Sequence, residues 1–121
     1  MRTGIGFDLC EVARMEKLQG DDRFLARYFS GEEIAYIRGK NRNAAQTLAG
    51  IYAAKEAFAK ALGTGITFDL KEVSVVHGET GQPAYRLSGK AAELAGGDRF
   101  LLSISHDGGM AGAVCIRESG K

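Results

Sequence analysis

The sequence has no tryptophan, one proline, two cysteines and two histidines in 121 residues. These shortages narrow the field. Cys10 and Cys115 sit far apart inside apolar segments and read as buried thiols of a reducing compartment; a disulfide requires that their strands be neighbours. Neither CxxC nor HxxxH spacing occurs, so zinc held by Cys and His is not expected. No charge sign dominates. Sixteen basic residues against fifteen acidic leave a formal charge of +1, and no global field points to nucleic acid or a membrane surface. No apolar run approaches the roughly 20 residues that span a bilayer. The opening Met1-Arg2-Thr3-Gly4-Ile5-Gly6-Phe7-Asp8 meets an acid too early for a signal-peptide core. A cytoplasmic protein is expected, without membrane or nucleic-acid partners.

What is present describes one folded domain over 1–121. The 45% hydrophobic and 26% charged residues are ordinary for a globular chain and argue against disorder. Glycine is plentiful, at 17 residues. A domain this small buries only about two-thirds of the surface of its unfolded chain. Its glycines therefore need a use, or help from a partner subunit.

Ile5, Phe7 and Leu9 alternate with Gly6, Asp8 and Cys10, which predicts a first strand with one apolar face and Asp8 on the other. Residues 11–18 turn helical, Gly20-Asp21-Asp22 interrupts, and a short helical piece carries Phe24, Leu25 and Phe29. Ser30 followed by Glu33 has the form of a capping box and opens a helix to about Arg38. After a basic loop, 44–62 is the clearest helix, with Leu48, Ile51, Tyr52 and Phe58 near one stripe and Gly63 as its stop. Strands follow at 73–77 and 84–87, then a helix at 88–95 opened by Ser88. Strands at 100–105 and 110–116 flank the turn His106-Asp107-Gly108-Gly109. The expectation is α+β, a mostly antiparallel sheet packed against a long central helix.

Several residues have two readings. Asp8 in an apolar strand is costly unless paired or bound to a cation. With Glu56 on the central helix it makes the partial carboxylate set that suits Mg²⁺, whose shell is commonly completed by water and phosphate. Oxygen ligands alone leave Mn²⁺ open as well. The plainer reading pairs Asp8 with an arginine or a backbone N–H and leaves Glu56 solvated. Lys55 and Lys60 flank Glu56, and Gly63-Thr64-Gly65 offers backbone N–H groups; this is either a phosphate site or an ordinary helix stop with solvated lysines. His106 ends a strand, where it serves a site or merely a hairpin. His77 is blander still. Arg14, Arg23 and Arg27 form a face for an acidic partner, or are solvated.

Taken together, the segments resemble the bacterial holo-(acyl-carrier-protein) synthases, the small class of 4′-phosphopantetheinyl transferases. Gly4-Ile5-Gly6-Phe7-Asp8 through Arg14 is similar to the family's opening block. Ala53-Ala54-Lys55-Glu56-Ala57 through Gly63-Thr64-Gly65 is very close to its central block. Leu102-Ser103-Ile104-Ser105-His106 resembles its late strand, and Gly81-Gln82-Pro83 a family turn. The likeness covers nearly the whole chain.

The resemblance implies that fold and an activity. A 4′-phosphopantetheine arm passes from coenzyme A to a serine of an apo acyl carrier protein, and adenosine 3′,5′-bisphosphate leaves. It implies Asp8, Glu56 and Lys60 as catalytic residues, with Asp8 and Glu56 as Mg²⁺ ligands. Lys60, Gly63, Gly65, Pro83 and His106 would hold coenzyme A, and Arg14, Arg23 and Arg27 the carrier. The base is Glu56 or a water polarised by the metal. A homotrimer with sites between subunits is also implied. One departure stands out: family members often carry Arg where this chain has Ile51, which leaves Arg42 or Lys40 to substitute. A non-catalytic module binding coenzyme A or carrier is the alternative, and the joint presence of Asp8, Glu56 and Lys60 speaks against it.

Overall fold

The computed structural model describes residues 3–120; Met1 and Arg2 of the opening stretch, and Lys121, lie outside the described residues. A three-stranded sheet runs in the order β1 (Gly4–Glu11), β5 (Met110–Glu118), β4 (Arg99–Asp107), and a separate hairpin pairs β2 (Val73–His77) with β3 (Pro83–Leu87). Every pairing is antiparallel. The helix α4 (Ala44–Leu62) packs along one face of the larger sheet. The predicted α+β arrangement therefore holds. Among the described residues no helix is long and apolar enough to cross a membrane.

Local chemistry explains the helix ends. Around α3 (Gly31–Arg38), Ser30 Oγ accepts from the Glu33 N–H while the Glu33 carboxylate accepts from the Ser30 N–H, completing the predicted capping box. Asp21 caps α2 (Asp22–Tyr28) through the Phe24 N–H at 3.0 Å. The helix after β1 is shorter than the spacing predicts: α1 covers only Val12–Glu16. Ser88 precedes α5 (Gly89–Ala95), but its side chain makes no cap; Glu72 accepts from the Ala91 N–H instead, at 3.1 Å. Gly63 ends α4 at φ 86°, a left-handed conformation that glycine adopts without strain.

The sheet faces are assigned in an unexpected way. Ile5, Phe7 and Leu9 are 69%, 56% and 55% exposed, and the strand's small face turns to α4. The cause is close approach. A Cβ on Gly6 would fall 1.9 Å from the Ala57 carbonyl oxygen, and one on Gly4 2.3 Å from that of Ala61. Only a strand without side chains there can lie so near the helix.

Cys10 and Cys115 do lie on paired strands, but Cys115 faces Gly6 while Cys10 faces Ala111. That offset of four positions separates the thiols by roughly 13 Å along the strands, and both are free and buried. Burial raises both thiol pKa values, that of Cys115 to about 11. β4 also runs further than predicted, through His106 and Asp107, leaving Gly108 and Gly109 alone to make the turn.

Candidate active site

Asp8 projects from the inner face of β1, with its side chain 18% exposed. Lys60 Nζ donates to Asp8 Oδ1 at 3.1 Å and to the Phe7 carbonyl at 3.0 Å. The partner of the strand carboxylate is thus neither an arginine nor a backbone N–H, but a lysine of α4. One turn earlier, half-buried Glu56 lines a recess of about 380 Å³ together with Lys60, Gly63, Gly65 and Ile66. The fold therefore brings Asp8, Lys60, Glu56 and the glycine turn to one end of α4. Gly63 already donates its N–H to the Ala59 carbonyl, so it shapes the turn.

Among the described residues no three His, Cys, Asp or Glu side chains gather as a metal cage. Glu56 opens onto the recess, and Asp8 joins it through Lys60; their hard carboxylate oxygens could hold a divalent ion that keeps waters or takes phosphate oxygens.

Lys55 does not join them. Its side chain is fully buried and its three donors are all engaged: Glu33 Oε1 at 2.8 Å, the Leu70 carbonyl at 2.9 Å and the Val73 carbonyl at 2.8 Å. Glu33 in turn accepts from the Val75 N–H at 2.8 Å. Burial pushes the Lys55 pKa down, and the Glu33 charge opposes that shift. The phosphate-site reading of Lys55 is overturned, because its position on the helix turns it inward, away from Glu56.

Pro83 and His106 line a different recess, of about 170 Å³, with Tyr36, Gln46, Ile51 and His77. His106 Nε2 lies 3.5 Å from Gln46 Nε2. Ile51 is buried at 1% exposure and gives this recess an apolar wall. His77 stacks on Tyr36 at 3.9 Å between ring centroids, and the Lys40 ammonium sits 4.6 Å from the Tyr36 ring centre. Burial, then the Lys40 charge, lower the His77 pKa, while Glu33 raises it. Arg42 is exposed in the 3₁₀ turn Asn41–Asn43.

Arg14 on α1 and Arg27 on α2 open onto a third cavity, of about 540 Å³, shared with Phe24, Tyr52, Glu56 and Ile66. Arg23 is exposed on α2. Among the described residues none of the three arginines is in an ion pair. Tyr52 and Ile66 of this cavity carry no functional signal in the sequence analysis. The spacing puts Tyr52 with the core stripe, although its position four before Glu56 marks a shared face. Ile66 is 49% exposed just beyond the glycine turn, and an isolated apolar residue in a loop carries little signal.

A basic and apolar cavity meets a carboxylate-lysine cluster at Glu56, on a sheet-and-helix frame. Residues 4–105 match the 4′-phosphopantetheinyl transferase superfamily, and the chain belongs to that family. Within it the similar proteins are holo-(acyl-carrier-protein) synthases. The one from Treponema denticola is 43% identical, over 98% of this chain and 99% of its own length. The crystal structure of the Bacillus anthracis synthase, in complex with CoA (3′,5′-ADP), superposes with a TM-score of 0.81 at 34% identity, covering 96% of each chain. The Helicobacter pylori synthase in complex with coenzyme A gives a TM-score of 0.83 at 31% identity, over 94% of this chain and 99% of the other.

Proposed function

We propose that this chain transfers the 4′-phosphopantetheine arm of coenzyme A to a serine hydroxyl of an apo acyl carrier protein and releases adenosine 3′,5′-bisphosphate. It acts in the cytoplasm, as a single domain over 1–121 assembled into a homotrimer. The observation that carries this reading is the meeting of Asp8, Lys60 and Glu56 beside the exposed arginines of α1 and α2, in a chain whose relatives are named for the reaction.

The serine oxygen attacks the β-phosphorus of coenzyme A. The bond from that phosphorus to the bridging oxygen breaks, and its electron pair leaves with the bisphosphate. Glu56, which borders both the Lys60 recess and the arginine cavity, takes the serine proton on one carboxylate oxygen. Asp8 and Glu56 would hold Mg²⁺ or Mn²⁺, which when bound would neutralise charge on the pyrophosphate. Lys60 and the Gly65 backbone hold phosphate oxygens where charge accumulates, and Gly63 supplies the turn. His106 reaches a phosphate, and Pro83 borders the nucleotide. Arg14, with Arg23 and Arg27 beside it, receives the acidic face of the carrier.

Two observations support sites shared between subunits. Pro83 and His106 line a recess other than that of Lys60. The sheet face away from α4 is also apolar and uncovered: Ile5, Ile116 and Leu101 stand side by side in register, with Phe7 and Leu9 along the same strand. A second and third copy of the chain would cover it.

The test is direct. Incubated with coenzyme A, Mg²⁺ and a panel of apo carriers, the protein adds the mass of one phosphopantetheine arm to a competent carrier. Asp8→Asn keeps the fold and lowers the rate about 10²–10³-fold, the scale of losing one electrostatic partner of the transition state. No mass gain on a competent carrier rejects the activity. Full activity in Asp8→Asn rejects the role of Asp8.

A further inference from the structure

Arg14 stands on a helix of only five residues and is exposed there. A long cation in such a place samples many rotamers unless something holds it. The holding group comes from another element. The Arg14 guanidinium carbon lies 5.5 Å from the centre of the Tyr52 ring, in the geometry of a cation over an aromatic face. Tyr52 is half-buried on α4, one turn before Glu56, and Arg14, Tyr52 and Glu56 line one cavity. The geometry points to Tyr52 as a positioning residue: its ring holds the Arg14 guanidinium at the mouth of the cavity, so that a docked acidic partner is aligned over Glu56.

The electrostatics of the hydroxyl agree with that placement. Burial, then the Glu56 charge, raise its pKa, while the Arg14 charge lowers it. The neighbouring pair Arg27 and Tyr28 has the same distance, 5.5 Å, with both of its members on α2.

This inference rests on the proposed carrier-facing role of Arg14, and the experiment separates the two. Steady-state transfer is measured for the wild type, Tyr52→Leu, Tyr52→Phe, Arg14→Ala and the Arg14→Ala/Tyr52→Leu double variant, varying carrier and coenzyme A in turn. Tyr52→Leu removes the ring over Arg14 and Tyr52→Phe keeps it. The carrier KM of Tyr52→Leu is expected to rise about 2–5-fold, the scale of a lost cation–π contact at an exposed site, and that of Tyr52→Phe to stay near wild type. The coenzyme A KM of both should stay within about two-fold, unlike the pattern of a residue with a purely structural role. In the Arg14→Ala background Tyr52→Leu should add nothing to the carrier KM. A raised carrier KM in Arg14→Ala with no change in Tyr52→Leu overturns the inference alone. So do fully additive effects in the double variant. An unchanged carrier KM in Arg14→Ala overturns the role of Arg14 and the inference with it.

Discussion

Lys55 and Lys60 stand five residues apart on one helix and do opposite work. Lys55 is sealed in the core, with three oxygens around its ammonium; Lys60 has a side chain 54% exposed and reaches back to Asp8. Removing one partner of a buried pair leaves the other charge uncompensated, at a cost of about 3–5 kcal/mol. Lys55→Met should therefore lower the urea midpoint strongly at fixed protein concentration, and adding Glu33→Gln should recover part of the loss. Lys60→Met should leave that midpoint within about 0.5 kcal/mol and reduce transfer about 100-fold. Equal midpoints for both single variants would refute this division of labour. The difference was not legible in the sequence. Both lysines flank Glu56, and their spacing along the helix says that they point differently without saying which direction is inward.

At the scale of elements, β1 and α4 make the site by lying unusually close. Gly4 and Gly6 admit the carbonyls of Ala61 and Ala57, and this contact brings Asp8 within reach of Lys60. Gly6→Ala should lift the strand, cost about 2–3 kcal/mol by overpacking and weaken transfer through the displaced Asp8. Gly20→Ala, where an added Cβ meets nothing within 4 Å, is the control and should be neutral or slightly stabilising. Chemical denaturation and the carrier mass assay read both effects. An unchanged Gly6→Ala protein would mean that the close approach is dispensable. Elements defined by local chemistry were readable in advance: the capping box at Ser30 and Glu33, the glycine stop after α4 and the hairpin at Gly108-Gly109 all formed. The cap of α5 was not readable, because Glu72 comes from a distant turn and displaces the role expected of Ser88.

At the scale of the whole molecule, the largest apolar side chains of β1 face outward, in a row with those of β4 and β5. Fully burying one such side chain contributes about 1.5–3 kcal/mol, so a face of five is a strong drive to assembly. Phe7→Glu should place a charge on that face, convert a trimer into monomers in sedimentation velocity and abolish transfer while Asp8, on the opposite face, keeps its position. A wild-type protein that sediments as a monomer at micromolar concentration would overturn the trimer. By itself the sequence determined the chemistry available, namely two carboxylates, a lysine, a glycine turn and arginines in blocks close to a known family. It also determined the helices and hairpins whose signals lie within a few residues of one another. Only the tertiary structure decided which lysine was buried, which face of β1 met the helix and which aromatic ring held Arg14. Those outcomes depend on contacts between residues tens of positions apart, where packing and desolvation, rather than local propensity, choose the partner.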